Sequence, residues 1–131
     1  MILVDSSVWI DYFNGKVTYK TDWLDSALGK EPIVIRDFIL TEVLQGFQTD
    51  RDFRIAKKLL LNFPFMEMIG KELAIESAMT YRYLRKKGVT VRKTIDVIIG
   101  TFCLHYHLML LHDDRNFDPI ERYLKLETVQ V

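Results

Sequence analysis

A chain of 131 residues, 49% hydrophobic and 27% charged, has apolar mass for one core and lacks the balance of a disordered chain. Its 18 basic and 18 acidic residues cancel, so nucleic acid would have to be gripped through local charge segregation or a bound cation. A single cysteine, Cys103, excludes an internal disulfide and a multi-cysteine zinc site, and between Phe102 and Leu104 its thiol reads as a core residue.

The opening MILV, ended by Asp5, predicts a buried strand over 1–4. No basic stretch precedes it, and the aspartate arrives too early for a secretory leader. SSVWIDYFNG predicts a helix behind a capping serine, stopped at Gly15, and TDWLDSALGK a second, capped by Thr21 or Asp22 and closed near Gly29. PIVI predicts a strand over 32–35. RDFILTEVLQGF predicts a helix carrying Phe38, Leu40, Val43, Leu44 and Phe47. TDRDFRIAKKLLLNF predicts another, bounded by Pro64.

FMEMI predicts a short strand over 65–69, and KELAIESAMTYRYLRKKG a long amphipathic helix stopped at Gly88. RKTIDVIIGTFCLHYH predicts a helix apolar on almost every side, LMLL a strand, DPIERYL a short helix and KLETVQV a terminal strand. Strands alternating with helices predict an α/β fold, a mainly parallel sheet flanked by helices, in one domain over 1–131. No uncharged stretch approaches the ~20 residues of a membrane span, so the expected location is cytoplasmic.

The informative residues are acids that interrupt apolar runs: Asp5 after MILV, Glu42 inside FILTEVL, Asp96 inside TIDVIIGTFCL and Asp114 after LMLLH. Burying an unpartnered carboxylate costs several kcal/mol, and no basic residue lies within the runs around Asp5 or Glu42. Each acid alone reads as a cap or a surface residue; the four together point to a divalent cation, and an all-oxygen ligand set suits Mg²⁺ or Mn²⁺. Asp5 and Asp114 would emerge at the carboxyl ends of strands, where open α/β sheets bind ligands. Thr94 as a cap would place Asp96 in the first turn of its helix. In LLHDDRNFD, Asp113 reads as a solvated turn residue and Asp118 as a helix cap ahead of Pro119.

MILVDSSVWIDYF, LTEVLQGF, RKTIDVIIGTFCL and LLHDDRNFD together resemble the four ordered motifs of the PIN-domain ribonucleases, and most closely the VapC-type toxins of toxin–antitoxin pairs. The resemblance covers essentially the whole chain. It implies that Asp5, Glu42, Asp96 and Asp114 are the catalytic, metal-holding acids and that Ser7 supports Asp5. The last motif usually has acid, any residue, acid, phenylalanine; here Asn116 stands in place of the second acid. That departure bears on whether one or two ions bind. It further implies a metal-activated water that cleaves RNA, a small antitoxin partner that inserts a helix or tail, and a homodimer.

Arg92, Lys93 and Arg115 adjoin the acids and are candidate RNA contacts. Arg82, Arg85, Lys86 and Lys87 fit either a phosphate path or a solvated helix end. VWIDYFNG and FILTEVLQGF offer a groove wall for an antitoxin helix. Trp9, Tyr12, Phe13 and Trp23 fit base stacking or, more simply, packing. His105, His107 and His112 have no assigned role. Competing readings are a housekeeping PIN nuclease without an antitoxin, a phosphotransfer domain with Asp5 as nucleophile, and a catalytically silent binding module. The phosphotransfer reading lacks a lysine or second acid in DSSVW to serve it.

Overall fold

The structure, a computed structural model, describes residues 1–67 and 69–131. Four short strands carry the frame: β1 (Ile2–Val4), β2 (Ile33–Arg36), β3 (Phe65–Met66) and β4 (Met109–Leu111). They lie in the order β3-β2-β1-β4, and every pairing among them is parallel. Parallel neighbours need crossovers, supplied by α1 (Ser6–Phe13) and α2 (Tyr19–Ala27), α3 (Asp37–Leu44) and α4 (Asp50–Leu60), and α5 (Lys71–Lys86) and α6 (Thr94–Tyr106). A 3-10 turn (Arg115–Phe117) and α7 (Asp118–Leu124) follow β4.

Helices on the sheet explain why β1 and β2 are buried along their full length and read as unbroken apolar runs rather than alternating ones. The chain winds from β1 through β2 to β3 on one side, then jumps across to β4 on the other. The strand order therefore reverses between β1 and β4, and it is at the carboxyl edge of such a switch point that open α/β sheets bind ligands.

Several boundaries differ from the sequence expectation. Arg36 belongs to β2 rather than to the following helix; it is fully buried, stacks 3.4 Å from the Phe102 ring centroid and donates to the Glu67 carbonyl at 2.8 Å. Burial pushes its pKa down to about 10. α2 starts three or four residues early because Thr18, with Thr21 in a reciprocal capping box, closes its N-terminus; neither Thr21 nor Asp22 is the cap. Of the strand expected over 65–69 only Phe65–Met66 is paired, and Met68 lies outside the described residues.

The expected terminal strand reduces to one parallel bridge, Leu110 to Thr128. Lys125, in left-handed conformation at φ 59°, ends α7, and beyond it the chain meets β4 only around Leu110, whose N–H donates to the Glu127 carbonyl and whose carbonyl accepts from the Val129 N–H. α6 crosses α7 closely at Gly100, where an added Cβ would sit 2.7 Å from Ile120 Cδ1. That approach seats the turn after β4 against the helix that carries Asp96.

Candidate active site

Each of the four acids is held where a strand or helix ends. Asp5 follows β1 and is itself the N-cap of α1, a role the sequence had suggested for a serine: its Oδ2 accepts from the Ser7 backbone N–H at 3.1 Å and from Ser7 Oγ at 2.6 Å. The side chain is only 2% exposed, and Oδ1 is buried without a hydrogen-bond partner. Burial raises the Asp5 pKa, the Ser7 bonds oppose the shift, and the charges of Glu42 and Asp114 add to it.

Asp96 occupies the first turn of α6, but the cap residue is Lys93 and Thr94 is already helical. Asp96 is 4% exposed, and its Oδ2 accepts from Asn116 Nδ2 at 2.9 Å. Burial, with the Asp114 and Asp5 charges, pushes its pKa up to about 6 against the pull of Asn116 and Lys93. Glu42 projects from α3, half-buried, and accepts from Ser6 Oγ at 3.3 Å. Its pKa is also raised, by burial first and by Asp96 and Asp114, with the Ser6 bond and the Lys93 charge acting the other way.

Asp114 caps the 3-10 turn: its Oδ1 accepts from the Asn116 backbone N–H at 2.9 Å. Asn116 thus ties two of the acids together through one side chain and one backbone donor. The structure brings all four into one electrostatic group, since each raises the pKa of at least one other.

Further contacts brace the group. The Asp113 N–H donates to Ser7 Oγ at 3.1 Å, so this hydroxyl links Asp5 to the segment after β4. Lys20, from α2, donates to the His112 carbonyl and lies 3.4 Å from Asp113 Oδ1, so Asp113 is exposed but paired. The Asp114 N–H donates to His112 Nδ1 at 3.2 Å. Ser7 was expected beside Asp5 from the resemblance, and Ser6 could have been suspected from its place behind Asp5; Lys20 and His112 meet only through the fold.

Asp118 is the first residue of α7, with Phe117 as the cap, and therefore does not cap the helix as expected. Arg92, Lys93 and Arg115 are exposed, and of the three only Lys93 bears on the acids through its charge. Trp9 is fully buried, stacked 5.9 Å from Phe13 and 5.8 Å from Phe63, which makes it core rather than a base platform. Cys103 is buried, its thiol pushed up to about 12, and is inert as a nucleophile.

A cation fits the group on chemical grounds. Asp5 Oδ1 is a buried oxygen with no donor, three neighbouring acids have raised or mutually repelling charges, and all donors are oxygens. The oxygens are not gathered tightly. Among the described residues, the three potential ligands whose atoms lie mutually within 4.8 Å are His112, Asp118 and Glu121 instead. That spacing alone could admit an ion. However, His112 Nδ1 accepts a hydrogen bond, so the neutral ring carries its proton on Nε2, the atom facing Glu121 at 4.0 Å. A metal at Nε2 would displace that proton and break the Asp114 bond.

The family model for the PIN domain matches residues 2–123. The chain belongs to the PIN-domain family. Among curated relatives, Ribonuclease VapC11 of Mycobacterium tuberculosis is 27% identical over 129 residues, covering 97% of this chain and 96% of that one. VapC ribonuclease Mb1587 of Mycobacterium bovis matches to the same extent. Solved structures share the fold: VapBC2 of Rickettsia felis, bound to a DNA fragment from their promoter, superimposes with TM-score 0.76 at 13% identity over 98% of both chains. FitAcB of Neisseria gonorrhoeae does so with TM-score 0.76 at 16% identity over 99% of this chain and 97% of that one. This PIN domain is an α/β unit with an all-parallel four-stranded sheet, and none of its described helices is long and apolar enough to cross a membrane.

Proposed function

We propose that this PIN-domain chain is a divalent-cation-dependent endoribonuclease, the toxin member of a toxin–antitoxin pair, acting in the cytoplasm. The observation that carries the reading is the mutual charge coupling of Asp5, Glu42, Asp96 and Asp114, with a buried Asp5 oxygen left without a donor. Relatives named ribonucleases that match nearly the whole chain, and structural neighbours that are VapBC complexes, support the same assignment.

Asp5, Glu42, Asp96 and Asp114 would hold Mg²⁺ or Mn²⁺, as one or two ions. When bound, such an ion supplies a water of lowered pKa and offsets charge building on the phosphate and the leaving oxygen. The chain's own side chains do the rest. Ser7 fixes Asp5 Oδ2 and leaves Oδ1 without a hydrogen-bond partner, Ser6 steadies Glu42, and Asn116 ties Asp96 to Asp114. Asp96 must be ionised to serve, and its raised pKa makes cation binding compete with protonation of its carboxylate. Exposed Lys93, with Arg92 and Arg115, would draw RNA phosphates toward the acids at low ionic strength.

Between α1 and α3 a small apolar groove is lined by Ile10, Phe13, Val43 and Phe47, the two segments expected to wall an antitoxin site. It would receive the apolar face of an antitoxin helix. The chain would act as a pair of identical subunits.

A panel of structured RNAs incubated with Mg²⁺, Mn²⁺ or EDTA, for wild type and Asp96→Asn, tests the reading. Cation-dependent cleavage by the wild type alone is expected. Cleavage in EDTA would remove the metal from the account, and full activity in Asp96→Asn would remove the assigned site.

A further inference from the structure

Between α5 and α6 runs a largely apolar groove of about 450 Å³, within the ~300–1,000 Å³ of sites that take a small organic group. Ala74 and Ala78 of α5 keep it open by being small, and Val97 and Ile98 of α6 line it from the other side. Ser77 breaks the apolar lining. Its side chain is 5% exposed, and its Oγ has no hydrogen-bond partner among the described residues. A helical hydroxyl can satisfy itself on the carbonyl four residues back, as Thr80 does on Glu76 at 3.1 Å and Thr101 on Val97 at 2.7 Å. Ser77 does not, and a buried hydroxyl left alone is costly.

The charges say what fits the groove. Arg82 and Thr94 line it where the second half of α5 meets the first turn of α6. Arg82 is exposed and forms no ion pair among the described residues. From Ser77 to Ile95 the chain carries cations and no acid. Lys93, beside Thr94, acts through its charge on Glu42 and Asp96, so this end of the groove adjoins the acids. Arg85 lies 5.7 Å over the ring of Tyr81, another lining residue. An apolar slot with an aromatic wall and unpaired cations at its edge matches a nucleotide, whose base has apolar faces and a polar edge and whose phosphate is an anion. The apolar face of a protein helix would set no charge against these cations and offer the Ser77 hydroxyl no partner.

We propose that this groove receives one unpaired RNA base flanking the phosphate that is cut, which makes it a specificity determinant of the nuclease. The base lies against Ala78 and Tyr81, Ser77 turns its hydroxyl about Cα–Cβ to the base edge, and Arg82 meets the adjoining phosphate. Single-stranded segments, whose bases are free to leave the stack, are then the substrate class. The identity of the occupant rests on the ribonuclease reading, whereas the affinity of the groove for a base is measured without it.

Amide chemical-shift titration of the metal-free wild type with the four nucleoside 5′-monophosphates and with ribose 5-phosphate reads the groove in the absence of cleavage. Saturable shifts at Ser77, Ala78, Thr94 and Val97 with at least one nucleotide, and none with the sugar phosphate, are expected. Ala78→Phe fills the groove from an exposed helix position and should abolish them, with circular dichroism as the folding control. Ser77→Ala should weaken the preferred base ~5-fold, and Arg82→Gln should remove the gain of a nucleotide over its nucleoside. In cleavage of single-stranded RNA, Ala78→Phe should raise KM ~10-fold. A groove that takes no base, shifts that ribose 5-phosphate reproduces, or nucleotide binding that survives in folded Ala78→Phe would overturn the proposal. A silent groove whose Ala78→Phe variant changes only the sedimentation of the chain would assign the face to a protein contact instead. Cation-dependent cleavage with a silent groove would refute this inference alone, and base binding without cleavage would refute the nuclease reading alone.

Discussion

Two groups of acidic residues draw members from the segment after β4, and they differ in what surrounds them. The group of Asp5, Glu42, Asp96 and Asp114 is buried or half-buried, has three raised pKa values and contains an oxygen with no donor. The group of His112, Asp118 and Glu121 has the tighter spacing, yet both of its acids are exposed and its imidazole is already engaged. Burial, with the Lys20 charge, also lowers the His112 pKa and keeps the ring neutral. On the proposed assignment, spacing alone picks the wrong group. What marks a cation site is charge that the protein itself has failed to compensate.

The largest effect should come from breaking the first group. Asp96→Asn removes a metal-holding charge and is expected to lower RNA cleavage by ~10³-fold, several kcal/mol of transition-state stabilisation, whereas Glu121→Gln should leave the rate within a few-fold. Single-turnover cleavage of one RNA by both variants makes the comparison.

Stability against pH should separate the groups next. Asp96 has a folded pKa of about 6, raised above the ordinary value of 3.8. Its contribution to stability is thus fully present below about 3.8 and lost as pH rises through about 6. Relative to Asp96→Asn, the cation-free wild type should lose on the order of 2 kcal/mol across that window, read from urea midpoints. Added Mn²⁺ should restore the loss by binding the ionised form.

Smaller effects concern the braces. Ser7→Ala removes the hydroxyl that both donates to Asp5 and accepts from Asp113, and should weaken Mn²⁺ binding ~10-fold with little change in fold. Lys20→Met breaks a contact across 92 positions of sequence but a partly exposed one, and should cost no more than ~1 kcal/mol of stability.

Much of this was legible in the sequence, for a physical reason. Acids inside TIDVIIGTFCL and after LMLLH are costly, so they stand out against apolar neighbours and fall at the carboxyl edge once the strands are placed. What stayed hidden depends on contacts between distant residues. Arg36 reads as the start of a polar helix but ends a buried strand, where its guanidinium stacks on the Phe102 ring and donates to the Glu67 carbonyl through one nitrogen. The cap of α1 is the acid itself rather than a serine, since one carboxylate oxygen can serve the helix while the other stays free. KLETVQV has the composition of a strand, yet beyond the left-handed Lys125 it forms a single bridge.

The central claim is that the buried group, not the closely spaced one, binds the divalent cation. Mn²⁺ titration followed by electron paramagnetic resonance at pH 7.5, on wild type, Asp96→Asn and Glu121→Gln, tests it directly. Saturable binding in the wild type and Glu121→Gln, with loss in folded Asp96→Asn, is the predicted result. Binding that survives Asp96→Asn and disappears in Glu121→Gln would contradict it.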